Sequence, residues 1–285
     1  MITLNIHSLL LLLFCIPRLL GDDGELVKNQ YKHSKVIDIP DLSFLGKVYS
    51  GLDILEQMDF RPIRNKTIAI LTNQSAVNRN NHHILDILTR YPDIKVNYLL
   101  SMEHGIWSTN DKRSKMVGRE GVSPLHKAQI IDLFKTYLQP PSWVMKNIDL
   151  VLVDYQDTGS RYTTYTATLS KVFESASDFE VPVFIVDRPN PIRGDLISGP
   201  IPRLEFQSFE SYHLFPIRHG LTIGEISLII NEMGWIKDLK RIQLNIIPMA
   251  NWKREMWFED TQLPWKDITP HLESAASLLA YSGMD

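Results

Sequence analysis

A single cysteine, Cys15, occurs in the 285 residues, and it lies within an apolar run at the amino terminus. Residues 9–15 have the length of a signal-peptide core and precede Leu19-Leu20-Gly21 and the acidic Asp22-Asp23. Residues 1–21 therefore read as a signal peptide, with a secreted or periplasmic destination expected. A chain starting at Asp22 has no cysteine, which excludes disulfides, thiolate metal sites and a cysteine nucleophile. The apolar run is too short to cross a bilayer, so no stable membrane span is expected. The nine histidines contain no H-E-x-x-H, and the adjacent His82 and His83 point to different sides of a helix, so no metal site is expected. Phosphate-binding glycine loops are missing as well. Neither G-x-G-x-x-G nor G-x-x-x-x-G-K-[ST] follows the first strand, and Thr72-Asn73-Gln74-Ser75 offers no glycine for a pyrophosphate to approach. That argues against a dinucleotide, and no cofactor is expected. A net charge of −3 without a basic cluster gives no field for gathering nucleic acid, so no nucleic-acid partner is expected.

What is present is a set of short apolar runs, each followed by polar residues. The most telling is residues 148–165, where Leu150-Val151-Leu152-Val153 runs into Asp154-Tyr155-Gln156-Asp157-Thr158-Gly159-Ser160-Arg161. A run apolar on both faces suits a central parallel strand covered by helices on each side. Further strands are predicted at 67–72, 96–100, 182–186 and 244–247. Helices are predicted at 83–88, at 123–139 between Ser123-Pro124 and Pro140-Pro141, at 161–177, and from the Thr222-Ile223-Gly224-Glu225 capping box to about Gly234. This alternation indicates an α/β fold with a doubly wound, mostly parallel sheet. Residues 22–50 read as a linker or edge extension and 51–245 as the main domain.

Four strand ends carry polar clusters: Asn73-Gln74, Glu103-His104, Gln156-Asp157 and Asp187-Arg188-Asn190. Ligands of open α/β sheets bind at that edge, so Tyr165 and these residues form a candidate site. Arg218 and His219 approach from a later loop, His219 also reading as a residue that positions that loop. Glu103, flanked by Met102 and Ile106-Trp107, is the candidate general acid if partly desolvated; the competing reading is a salt bridge to Arg161 or Arg188. For Asp157 the alternative is capping a helix that begins near Arg161, and Asp154 reads as an acceptor for backbone amides. Asp157-Thr158-Gly159 matches the aspartic-protease triplet, but one copy in an α/β context lacks the second carboxylate that chemistry requires.

Five strings occur in order: Leu71-Thr72-Asn73-Gln74-Ser75, Glu103-His104-Gly105-Ile106, Asp154 through Arg161, Asp187-Arg188-Pro189-Asn190-Pro191, and Arg218-His219-Gly220-Leu221-Thr222-Ile223-Gly224-Glu225. Together they resemble the NamZ-type exo-β-N-acetylmuramidases, bacterial glycosidases that remove N-acetylmuramic acid from non-reducing ends of peptidoglycan fragments. The resemblance implies a Rossmann-like domain, peptidoglycan saccharides or muropeptides as partners, and Glu103 as the catalytic acid. The second catalytic group stays open among Asp157, Asp187, a tyrosine such as Tyr165, and the substrate's own acetamido oxygen. Arg161 and Arg188 are expected to hold the lactyl carboxylate. Asn73, Gln156 and Asn190 are expected on hydroxyls or the amide, with Gln74, His104, Arg218 and His219 as further substrate contacts. The alternative is a muropeptide-binding relative without turnover. Residues 246–285 are expected to be the start of a truncated second domain, whose Trp252, Trp257, Trp265, Leu278, Leu279 and Tyr281 form an exposed patch that favours self-association.

Overall fold

The structure is a computed structural model that describes residues 32–39, 46–107, 121–123, 125–272 and 274–283. The expected signal segment lies outside the described residues. The strands are β1 (Ser34–Val36), β2 (Thr67–Thr72), β3 (Lys95–Ser101), β4 (Gly121–Val122), β5 (Gln129–Asp132), β6 (Leu150–Asp154), β7 (Val183–Val186) and β8 (Leu244–Ile247). They form one sheet in the order β1-β8-β7-β6-β2-β3-β5-β4. Only the β4–β5 pair is antiparallel; the pairs on either side of the centre, β2–β3 and β2–β6, are parallel. The fold is thus α/β, with a Rossmann-like sheet.

Six helices accompany the sheet among the described residues: α1 (Gly51–Gln57), α2 (Ile84–Leu88), α3 (Ser142–Met145), α4 (Tyr165–Asp178), α5 (Ile223–Met233) and α6 (Ala275–Gly283). Side chains alternate across a strand, and here both faces are apolar. Ala69, Leu71, Val151, Val153, Val183 and Ile185 join Leu169, Val172 and Phe173 of α4 and Ile226 and Ile230 of α5 in one core. Ile68, Ile70, Leu150 and Leu152 join Leu52 and Leu55 of α1 and Leu85 and Leu88 of α2 in the other. Helix α5 has the predicted capping box, with Thr222 and Glu225 exchanging hydrogen bonds, and ends at Gly234 with φ 66°.

Three expectations are corrected. The helix at 123–139 does not form among the described residues. Its Ile130 and Ile131 belong instead to β5, which pairs with β3, and His126, Lys127 and Leu138 adopt positive φ that interrupts any helix. Helix α4 starts at Tyr165 rather than Arg161 because 161–164 form a turn. The carboxyl-terminal stretch is not a separate layer: the division at 245 falls inside β8, and Ile268, Leu272 and Leu278 enter the same core as α4 and α5. Leu278 is 0% exposed, the three tryptophans and Tyr281 are partly covered, and only Leu279 of the expected patch is exposed. Within the earlier linker, β1 pairs with β8 as an edge strand.

Candidate active site

The chain leaves β2 toward β3 on one side and returns through β6 on the other, so the sheet's order reverses between β2 and β6, whose last residues, Thr72 and Asp154, pair. Such a switch point is where an open sheet usually holds its ligand. Here the strand ends are filled by the protein's own loops. Asn73 Oδ1 accepts the Ser75 N–H at 3.0 Å, and Ser75 Oγ accepts the Gln156 N–H at 2.9 Å. Gln156 Nε2 donates to the carbonyls of Asp157 and Pro189. Asn190 donates to the Leu221 carbonyl at 3.0 Å and accepts from the Ile192 N–H at 3.1 Å. Gln74 Nε2 donates to the Asp267 carbonyl at 2.7 Å, and the Tyr165 hydroxyl to that of Ile268 at 2.9 Å. Side chains expected to bind sugar therefore tie down the segment that crosses the strand ends.

The charged residues of this layer also contact the protein itself. Arg188, 4% exposed, donates from Nε to Asp154 Oδ1 at 2.6 Å and from Nη1 to the Val77 carbonyl at 3.0 Å. Asp154 thus receives a guanidinium, where backbone amides were expected. Arg161 Nη1 donates to the Pro200 and Phe215 carbonyls at 2.8 and 2.6 Å. Arg218 donates to the Ile192 carbonyl, and its guanidinium lies 5.6 Å from the centre of the Trp257 ring.

Asp187 accepts the Gly224 and Arg188 N–H groups at 2.8 and 3.0 Å and the Thr222 hydroxyl at 3.1 Å, pinning the start of α5. A Cβ on Gly224 would stand 2.8 Å from the Asp187 carboxyl carbon, so glycine lets the helix approach. Burial pushes the Asp187 carboxyl up to about 7. Asp157 accepts the Gly159 N–H at 2.7 Å in a tight turn, so it does not cap a helix beginning near Arg161. His219 Nε2 lies 3.2 Å from the Asp157 carboxylate, while its Nδ1 accepts the Leu221 N–H at 3.1 Å, the loop-positioning role. Both aspartates are 2% exposed. Each anchors loop or helix backbone, and neither lines the open cleft beside this layer. Burial likewise pushes the Tyr165 phenol up, and its hydroxyl is given to the Ile268 carbonyl.

Beside this layer lies an open cleft of about 540 Å³. Of the expected site residues, Glu103, His104 and Tyr165 line it. The loop after β3 supplies Glu103, seated between buried Met102, Ile106 and Trp107. The Thr164 hydroxyl donates to Glu103 Oε2 at 2.7 Å. Tyr162 and Tyr281 meet edge to face at 5.7 Å in the cleft wall, and Glu210 and His271 are among the further polar residues that line it. Sequence reasoning missed Thr164, Glu210, His271 and Tyr281; a hydroxyl two residues beyond the cleft-lining Tyr162 was the one available signal, for Thr164. Among the described residues no group of three or more His, Cys, Asp or Glu is placed to hold a metal ion.

The fold and site thus define an α/β protein with a carboxyl group in an open cleft beside its strand ends. The sequence profile described as "Exo-beta-N-acetylmuramidase NamZ, N-terminal" matches residues 68–276, and the chain belongs to this family. It is 32% identical over 238 residues to the peptidoglycan beta-N-acetylmuramidase NamZ of Bacillus subtilis (strain 168), covering 82% of this chain and 55% of that protein. Two crystal structures of DUF1343 family proteins from Bacteroides fragilis are similar in fold. One has a TM-score of 0.75 at 28% identity, covering 82% of this chain and 58% of that one. The other has 0.70 at 27%, covering 83% and 60%. The chain thus spans somewhat over half the length of these relatives.

Proposed function

We propose that the chain is a peptidoglycan glycoside hydrolase, exo-acting, that releases N-acetylmuramic acid from non-reducing ends of peptidoglycan fragments in a secreted or periplasmic setting. The observation that carries this reading is Glu103: a partly buried carboxyl held by the Thr164 hydroxyl in a cleft large enough for a saccharide, in a member of this family. Ligand cavities of roughly 300–1,000 Å³ are the usual size for such substrates. In this role Glu103 gives its proton to the glycosidic oxygen as the bond to the anomeric carbon breaks.

Turnover of a disaccharide with N-acetylmuramic acid at its non-reducing end, and of the corresponding nitrophenyl glycoside, tests the reading. Glu103→Gln should slow the disaccharide by on the order of 100- to 10,000-fold and the nitrophenyl substrate less, because nitrophenolate leaves without protonation. Affinity for the product sugar should stay near parental. A Gln variant as fast as the parent on the disaccharide makes Glu103 structural. A parent that binds muropeptide without turnover replaces the enzyme by a binding protein.

A further inference from the structure

The cleft carries two carboxylates in its described walls, and only one has a role so far. Glu210 belongs to the turn at 208–211, where the Ser208 hydroxyl donates to Glu210 Oε2 at 3.1 Å and itself accepts the Ser211 N–H at 3.2 Å. Its side chain is exposed and shares the cleft lining with Glu103, Tyr162 and Tyr281. The Tyr281 phenol is pushed up by its own burial and then by the Glu103 charge, Tyr162 and the Glu210 charge, so one hydroxyl stands within electrostatic reach of both carboxylates. The acids expected to serve as the second group do not reach this space: Asp157 and Asp187 are bound to backbone amides and absent from the cleft lining.

Hydrolysis of a glycosidic bond by a carboxyl pair needs one group on the leaving oxygen and one serving the anomeric carbon. We propose that Glu210 is the second catalytic residue, the general base that activates water; this rests on the glycosidase reading with Glu103 as acid. Protonated Glu103 transfers its proton to the glycosidic oxygen while the carbon–oxygen bond breaks and its electron pair stays with the leaving alcohol. The water oxygen forms the new bond to the anomeric carbon, and the proton it sheds passes to the Glu210 carboxylate. Glu103 ends ionised and Glu210 protonated, and exchange with solvent restores both. Glu210 is exposed on its turn and lines the same open cleft as Glu103, and a base that activates water directly gives a first product of inverted configuration.

The full chain is assayed on the disaccharide and on the nitrophenyl glycoside. Glu210→Gln should lose on the order of 100- to 10,000-fold on both, because water attack needs the base whatever leaves, whereas Glu103→Gln loses less on the nitrophenyl substrate. The melting temperature and the affinity for product sugar should not move. Azide should restore turnover of Glu210→Ala by taking the place of activated water, a rescue that a merely structural residue does not give. Nuclear magnetic resonance of the first product should show inversion. Parental turnover with an unaffected Glu210→Gln, or a product of retained configuration, overturns the assignment while leaving the glycosidase reading in place. A parent without turnover overturns both.

Discussion

The strand-end layer and the cleft beside it are built from the same kinds of residue, yet they differ in what those residues face. In the layer, Asn73, Gln74, Gln156, Asp187 and Asn190 are buried and each makes at least one hydrogen bond to loop backbone. Loops packed over a sheet edge bring amides and carbonyls out of water, and each needs a partner. In the cleft, Glu103, His104 and Glu210 line open space and are framed by aromatic rings. A polar strand end therefore marks where the chain must be tied down as readily as where chemistry occurs. Exposure, more than residue type, separates the two.

The contrast breaks most directly at Arg188. Arg188→Ala leaves Asp154, 0% exposed, without its guanidinium partner. Stranding one member of a buried pair costs about 3–5 kcal/mol, so denaturant unfolding should show a loss of that size. The Glu103 cleft lies outside this pair, and near-parental turnover is expected from the fraction that stays folded. A stable variant with selectively weakened binding of N-acetylmuramic acid would instead move Arg188 to the substrate. Asp187 tests the same layer through pH. Its carboxyl is raised by burial to about 7, so the folded state holds a proton that the unfolded chain releases near its ordinary value of about 4. The resulting stabilisation is fully present below about pH 4 and is lost as pH rises to about 7, amounting to at most about 4 kcal/mol. Asp187→Asn should remove this dependence, seen as a smaller fall in unfolding free energy between pH 4 and 7 than the parent shows. Parallel profiles would mean that Asp187 is already ionised across that range.

The sheet was legible because its strands carry local signatures. Runs apolar on both faces marked β2 and β6, and the capping box at Thr222 and Glu225 marked α5. The helix expected at 123–139 failed because proline signals at its ends outweighed Ile130-Ile131, which pairing with neighbouring strands turns into β5. Site roles were less legible for a related reason. Whether Gln74 meets a sugar or the Asp267 carbonyl is settled by a segment 193 residues away, and the Tyr165 hydroxyl finds Ile268 across 103 residues. Glu210 sits in a stretch with no periodic pattern, and α6 reaches the cleft only through the tertiary fold, which brings Tyr281 against Tyr162. Glu103 could be picked out because the buried strand ahead of it and the Glu-His-Gly string mark the same residue.

The smallest effect, and the one that sharpens the comparison most, concerns Thr164. It stands at the start of α4, makes no side-chain cap hydrogen bond there, and gives its hydroxyl to Glu103 at 2.7 Å. Thr164→Val keeps the shape and removes the donor, so little packing is lost. One hydrogen bond at a partly solvated carboxyl contributes about 1 kcal/mol, and stability should fall by no more than that. If the bond aims the acid, the same change should lower kcat/KM on the disaccharide by roughly tenfold, since about 1.4 kcal/mol of barrier is a factor of ten. The nitrophenyl glycoside, which needs less protonation, should be affected less. Thr164→Ser restores the donor and should recover the disaccharide rate. If Val and Ser behave alike in both assays and differ only in melting temperature, Thr164 belongs with the strand-end anchors rather than with the cleft.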